Sequence, residues 1–293
     1  MKLFRLGRRR KLSPSWTYTV DGVIWRLLPT RTGQLVGEER DLVGKKASFF
    51  CLDQFTGKAL WQKAAGDEPW WIGMEAVHRD ILVLHSFLTP DLPVHKGIIA
   101  LDLMSGKQLW ANNGLRFVAG ADQSVFGAKE TLVDSALVEV HFRTGALVRE
   151  LAGEAGESRI RELLAGSAVD ETIALPHPVT DLDTSFPRIT GREHRHERAE
   201  QTVGTVDVLE YGERTLVWSA HETVGGEQVT GRMNTVLRVA DRLSGKTLLE
   251  TVLNSNVQAR VPVSFFVQAD MLYYVKERKE LAAVQLRELP GGR

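Results

Sequence analysis

The side chains that could do chemistry are spread along the sequence and form no compact motif. His85 lies within an apolar run, which favours a buried, packed histidine over a general base. His95 and Lys96 end a proline-stiffened stretch and could donate hydrogen bonds to an anion, although a rigid loop with a solvated tip is the simpler interpretation. His221 and Glu222 follow a predicted strand and could form a base or metal pair, but a structural role is favoured.

Two adjacent tryptophans are the most informative feature of the predicted loops. They end the stretch Asp67-Glu68-Pro69-Trp70-Trp71, and because adjacent side chains on a strand point to opposite faces, one indole should pack against a neighbouring sheet. The other is either a second packing anchor or part of an aromatic platform for a ligand or peptide. Arg40, followed by Asp41, is interpreted as half of a surface ion pair rather than a substrate clamp. The candidate binding residues are Arg40, Trp70, Trp71, His85, Asp91, His95, Lys96 and His221.

Sequence motifs for catalysis are absent. The chain contains no phosphate-binding glycine loop, no His-Glu-x-x-His pair and no Gly-x-Ser-x-Gly elbow. Its one cysteine, Cys51, lies in an apolar run, so a buried thiol is expected and no cysteine pair can bind zinc. His194 and His196 could share a strand face, but the arginines around them would repel a cation. We therefore predict no catalytic residue, no metal ligand and no cofactor.

The composition narrows the classes of partner. The 293 residues include 37 basic and 37 acidic side chains, and this zero net charge argues against a protein built for nucleic acid. No apolar run is long enough to span a bilayer, and the basic N-terminus is not followed by the apolar region of a secretory signal. We predict a cytoplasmic protein with a basic tail over residues 1–13 and a single domain over residues 14–293.

A repeated hairpin indicates how these residues are positioned. The stretch Leu52-Asp53-Gln54-Phe55-Thr56-Gly57-Lys58-Ala59-Leu60-Trp61 returns as Leu101-Asp102-Leu103-Met104-Ser105-Gly106-Lys107-Gln108-Leu109-Trp110. Each copy reads as a strand, a tight turn at the glycine and a return strand that starts at the tryptophan. Weaker copies give turn glycines at intervals of about 40–50 residues, a period typical of propeller blades. The turn glycines are Gly57, Gly106, Gly145, Gly191, Gly245 and Gly291.

This repeat resembles that of quinoprotein-type (PQQ-like) β-propellers, and the chain also resembles small bacterial propeller proteins of unassigned function. The resemblance implies an all-β propeller of four-stranded antiparallel blades, with six blades expected and five or seven as alternatives. The segment from Trp16 to Val20 should supply the last blade's missing strand and so close the ring. The fourth blade is the weakest, because residues 156–164 could instead form a short helix.

The expected blade topology places the glycine hairpins on one face and longer loops on the opposite face. Loops carry function more often than the strands that support them, so a ligand is expected on the long-loop face. We predict a non-catalytic binding or scaffold propeller that engages a protein partner or a small ligand there. The alternative is a quinone- or metal-dependent enzyme on the same frame, although an exported quinoprotein would be expected to carry a signal segment.

Overall fold

A computed structural model shows an all-β chain with one α-helix among the residues that it describes. The structure describes residues 11–64, 68–89, 92–130, 135–166, 172–180, 202–224, 231–261 and 265–286. No helix within these ranges is long and apolar enough to cross a membrane. The basic tail, Asp91, His194, His196 and the turns at Gly191 and Gly291 lie outside the described residues, except for residues 11–13 of the tail.

The described elements, in chain order, are β1 Trp16–Thr19, β2 Val23–Pro29, β3 Gln34–Asp41, β4 Lys46–Asp53, β5 Ala59–Ala64, β6 Ile72–His78, β7 Ile81–Thr89, β8 Leu92–Asp102, β9 Gln108–Asn112, β10 Arg116–Ala121, β11 Ser124–Glu130, β12 Ser135–His141, β13 Leu147–Ala152, α1 Gly153–Gly166, β14 Ile173–Ala174, β15 His177–Val179, β16 Val206–Tyr211, β17 Thr215–Thr223, β18 Met233–Asp241, β19 Thr247–Val257, β20 Phe265–Gln268, β21 Met271–Lys276 and β22 Glu280–Gln285.

The chain divides into two compact units. The first, here called the central unit, spans Val20–Glu171. It contains three antiparallel four-stranded meanders, formed by β2 to β5, β6 to β9 and β10 to β13. The second and third meanders are joined by one parallel pairing, between Arg116 and Gly97. The strand–turn–strand reading of the repeated hairpin is therefore confirmed in this unit.

The second unit, here called the terminal unit, combines Met1–Thr19 with Thr172–Arg293. One of its sheets follows the order β15-β16-β17-β18-β19, and the other follows β1-β22-β21-β20-β14. The N-terminal strand pairs antiparallel with the last strand, from Trp16 opposite Ala283 to Thr19 opposite Glu280. This pairing is the one that the sequence predicts for the segment that starts at Trp16.

The alternating side chains of β4 show how the core of the central unit is built. Phe49 and Cys51 point to one face, where they pack with Val36, Met74 and Leu82. Each such buried apolar side chain contributes about 1.5–3 kcal/mol. Cys51 is fully buried, as predicted, and burial raises the pKa of its thiol to about 12.

The tryptophan that ends each close repeat docks on the following meander. The indole N–H of Trp61 donates a hydrogen bond of 2.8 Å to the carbonyl of Leu103, and its ring covers the turn glycine Gly106. One meander later, Trp110 makes the same 2.8 Å hydrogen bond to the carbonyl of Phe142. The repeated tryptophan therefore connects successive meanders of the central unit.

The region expected to form the fourth of six blades has a different structure where it is described. Residues 153–166 form α1, which was the alternative left open by the sequence. β14 pairs with β20 and β15 pairs with β16, so neither starts a sheet of its own. The described residues contain four four-stranded meanders, three in the central unit and one, β16 to β19, in the terminal unit. In the terminal unit β20 to β22 also form a three-stranded meander, to which β1 adds a fourth strand.

Candidate functional site

Five of the eight predicted site residues converge in the central unit. They lie at the end of β3, before β6, near the end of β7 and near the start of β8, which all belong to the predicted long-loop face. These residues are Arg40, Trp70, Trp71, His85 and His95. Lys96 is exposed on β8 opposite Ser86, whereas His221 belongs to the terminal unit.

The centre of this site is a carboxylate shared by two histidines. Oε2 of Glu75 lies 2.8 Å from Nδ1 of His85 and 2.7 Å from Nδ1 of His95. The two imidazole rings are stacked, with centroids 3.5 Å apart and an interplanar angle of 8°. His95 makes a hydrogen bond to the carboxylate, but Nδ1 of the buried His85 makes none of normal geometry within the described part of the chain. We call these three residues the Glu–His–His cluster.

Irregular strand pairing brings the three side chains together. Glu75 is the unpaired residue of a β-bulge, because Met74 pairs with Leu84 while Ala76 pairs with Val83. The pairing of β7 with β8 also shifts at the position of His85. Bulges re-aim side chains and are common beside functional sites. The guanidinium of Arg26 stabilises the bulge, because it donates hydrogen bonds to the carbonyls of Met74 at 2.5 Å and Glu75 at 3.3 Å.

The electrostatics of the cluster favour an ionised carboxylate. Burial raises the pKa of Glu75, but the imidazoles of His85 and His95 lower that pKa by more, so it lies below its ordinary value. Glu75 therefore carries a negative charge at neutral pH. The side chain of His95 is 37% exposed, so the cluster is open to solvent on one side.

Two further aromatic side chains, Phe87 and Trp71, extend from the two histidines. The ring of Phe87 meets both imidazoles edge-on, with centroids 5.1 Å from His85 and 5.5 Å from His95. Trp71 then meets Phe87 edge-on at 6.0 Å and remains 36% exposed. We call Trp71, Phe87 and His95 the aromatic surface.

The two tryptophans divide between packing and exposure, which was one of the two interpretations of the sequence. Trp70 is covered by the guanidinium of Arg40 at 4.9 Å and the ammonium of Lys45 at 4.8 Å. Trp71 is the exposed member of the pair. One oxygen of Glu68 accepts hydrogen bonds from the backbone N–H groups of Trp70 at 2.9 Å and Trp71 at 2.8 Å, which fixes the turn that presents them.

The interpretation of Arg40 as a surface residue paired with Asp41 is wrong. Arg40 is buried and forms an ion pair with Glu38, whose carboxylate lies 2.5 Å from Nη2 and 2.6 Å from Nε. Its guanidinium also donates to the carbonyls of Trp70 and Ile72. Buried charges require such partners, and these contacts connect the first two meanders.

The loop expected to carry His95 and Lys96 is shorter than the sequence indicated. β7 continues to Thr89 and β8 starts at Leu92, so both residues lie on a strand. His95 pairs across the ladder with Phe87, and this pairing places its ring beside His85.

His221 has the structural role that the sequence favoured. Its Nε2 accepts a hydrogen bond of 3.1 Å from the backbone N–H of Val261, so the buried ring is neutral. Glu222 forms two hydrogen bonds with Arg238, at 2.5 and 3.0 Å, and makes no pair with His221. Burial lowers the pKa of His221, and the charge of Arg260 lowers it further.

Replacing His221 by glutamine should flatten the pH dependence of stability. The unfolded imidazole titrates near pH ~6.5, and the folded pKa lies below that value. The wild type therefore has its full stability above pH ~6.5 and loses it as the pH falls, by at most about 1.4 kcal/mol per pH unit. Glutamine can still accept the Val261 N–H but does not titrate. Urea unfolding from pH 7.5 to 5.5 measures the difference, and equal slopes for both proteins would contradict a buried neutral His221.

Sequence reasoning missed Glu75 and Glu38. Glu75 reaches the two histidines only because of the bulge. Glu38 matters only because Arg40, its ion-pair partner, is buried. One signal was available: Glu75, His85 and His95 follow one another at intervals of ten residues across three consecutive strands.

Comparisons with known proteins give one family match and several structural similarities, and they leave the activity open. A family model described as a domain of unknown function (DUF4905) matches residues 28–110, less than half of the chain, and this segment includes the whole Glu–His–His cluster. No curated protein matches the sequence.

Three solved structures are similar at low sequence identity. A europium-containing methanol dehydrogenase is 11% identical with a TM-score of 0.33, over 91% of this chain and 52% of that one. The Dos1 propeller is 9% identical with a TM-score of 0.30, over 90% of this chain and 68% of that one. BBS1N in complex with ARL6DN is 10% identical with a TM-score of 0.27, over 97% of this chain and 69% of that one. The chain thus spans about half the length of the methanol dehydrogenase.

Proposed function

We propose that this protein is a non-catalytic binding β-propeller whose described meanders are its blades, with β1 completing the last blade and closing the ring. The repeated hairpin, the docked tryptophans and the pairing of β1 with β22 support this architecture. Five blades agree better than six with the described strands.

The proposed binding site is the aromatic surface of the central unit. The observation that carries the proposal is the exposed indole of Trp71, whose ring makes edge-on contact with Phe87 and whose backbone N–H donates a hydrogen bond to Glu68. A fixed aromatic side chain loses little conformational freedom on binding, and such residues are enriched among those that dominate binding energy. The ligand that this surface fits best is an apolar or aromatic segment of a protein partner.

A pull-down from cell extract tests the proposal, with bound proteins quantified against a resin blank. Replacing Trp71 by alanine removes the anchor and should weaken binding by about 2 kcal/mol or more, which is roughly 30-fold. Trp25→Ala is the matched control, because Trp25 is 57% exposed on β2 and lies outside the aromatic surface. Wild type and Trp25→Ala should enrich the same proteins, and Trp71→Ala should lose them. Retention of those proteins by Trp71→Ala would contradict the proposal.

A metal-dependent activity is the second candidate function. The observation in its favour is the Glu–His–His cluster, which combines a carboxylate with two imidazoles beside solvent. No feature of the described residues supports the quinone-dependent form of the alternative.

A further inference from the structure

The donor set of the Glu–His–His cluster is that of a transition-metal site. Glu75, His85 and His95 each offer one ligand atom, and the three atoms lie within 4.8 Å of one another. Two imidazole nitrogens and one carboxylate oxygen suit Zn²⁺ and its neighbours in the first transition row, whereas Ca²⁺ and Mg²⁺ prefer oxygen ligands alone.

The spacing of the donor atoms is close to what an ion requires. A tetrahedral Zn²⁺ with ligand bonds of 2.0–2.1 Å separates its donor atoms by about 3.3 Å. The carboxylate-to-imidazole distances of 2.7 and 2.8 Å therefore need to open by about half an ångström. His95 is part-exposed and its ring can turn out of the stack, whereas the ring of His85 is fixed by burial.

The surroundings hold the donors in place. Gly73 makes room for the ring of His85, because a Cβ there would lie 3.1 Å from Nε2 and 3.2 Å from Cε1. Arg26 donates a hydrogen bond to the backbone of the bulge, and contact with Phe87 restricts the rotation of the imidazoles of His85 and His95. Support of this kind around the ligands raises metal affinity by orienting them.

The local charge also favours a cation. The nearby guanidinium of Arg40 is paired with the carboxylate of Glu38, and the cluster itself supplies one acidic ligand, the carboxylate of Glu75. The buried Nδ1 of His85 points at that carboxylate without a hydrogen bond of normal geometry, an arrangement that a shared cation would satisfy.

From this geometry we infer that Glu75, His85 and His95 bind one divalent transition-metal ion of the Zn²⁺ class. Three protein ligands leave the fourth position of a tetrahedral ion to water or to a ligand from the solvent side. The inference does not rest on the partner-binding proposal: His95 belongs to both sites, but metal binding does not require Trp71.

Calorimetric titration of untagged, chelator-treated full-length protein with Zn²⁺ tests the site, and the visible absorption of bound Co²⁺ reports its coordination. The wild type should bind one Zn²⁺ per chain, with a higher melting temperature when loaded. Mg²⁺ and Ca²⁺ should produce no comparable effect.

The variants His95→Ala and Glu75→Gln remove one ligand each. Both should lose more affinity than the roughly 10–100-fold that follows loss of an outer partner. Both residues are part-exposed, so the fold should survive, and the melting temperature of the metal-free variants checks this. His177→Ala, at an exposed histidine on β15, should bind like the wild type. The inference would be overturned if the wild type bound no Zn²⁺, or if the two ligand variants bound Zn²⁺ as tightly as the wild type does.

Discussion

Replacing Arg40 by methionine should lower the free energy of unfolding of the central unit by about 3–5 kcal/mol. The substitution leaves the carboxylate of Glu38 buried without its charged partner, and Glu38 is 2% exposed. It also removes the donors to the carbonyls of Trp70 and Ile72. Most of the expected loss is the cost of a buried, unpaired charge, not the intrinsic strength of the ion pair. Urea unfolding measures the change.

The matched control is Arg242→Met. Arg242 also donates to a carboxylate, that of Glu210 at 2.8 Å, but both side chains are exposed. An exposed ion pair contributes about 0–1 kcal/mol, so this variant should unfold much like the wild type. The double variant Arg40→Met with Glu38→Gln should recover part of the loss, because it removes the orphaned charge. If Arg40→Met costs no more than Arg242→Met, the assignment of Arg40 as a buried connector is wrong.

Local patterns in the sequence predicted the frame of this protein well. The Leu-Asp-x-x-Ser/Thr-Gly-Lys hairpin is encoded within a few residues: Oδ1 of Asp53 accepts hydrogen bonds from the N–H and hydroxyl of Thr56, both at 2.8 Å. The pairing of β1 with β22 was also predictable, because Trp16 begins a strand like those that follow the turns of the two close repeats. In both cases the information is carried by residues that lie in the motif itself.

The sequence predictions were wrong where residues far away in the chain determine the surroundings of a side chain. Arg40 looked like a surface residue because Asp41 follows it, yet its acceptors include carbonyls 30 and 32 residues further along the chain. Pro90 and Pro93 indicated a loop before His95, but pairing with β7 makes the chain from Leu92 onward a strand. Strand formation depends on cross-strand packing more than on local preference, so tertiary context prevails there.

The sequence predicted the region of the candidate site, but it did not predict which side chains come together there. Trp71, His85 and His95 were selected one by one, and each had a structural explanation of its own. Their combination with Glu75 depends on a one-residue bulge, and shifting a strand by one residue turns its side chains to the opposite face. Periodicity cannot place such an insertion, so the ten-residue spacing of Glu75, His85 and His95 does not by itself predict that the carboxylate joins the two histidines.

The turn glycine of the second repeat provides the other large expected effect. In Gly106→Ala, the new Cβ would lie 2.7 Å from Cδ2 of Trp61, at a residue whose φ is +66°. The backbone conformation costs about 1–2 kcal/mol and the displaced indole about 1–3 kcal/mol more, so we expect a total loss of about 2–5 kcal/mol.

Gly153→Ala separates the two terms of the Gly106→Ala loss, because Gly153 has a φ of +58° but no atom within 4 Å of the added Cβ. It should show the backbone cost alone in the same urea titration. In a Trp61→Phe background the smaller ring should tolerate the new methyl group, giving a coupling energy of about 1 kcal/mol or more between the two positions. Equal losses for Gly106→Ala and Gly153→Ala, or no coupling to Trp61, would show that the tryptophan does not dock on the next meander's turn, and the proposed propeller would lose its repeating contact.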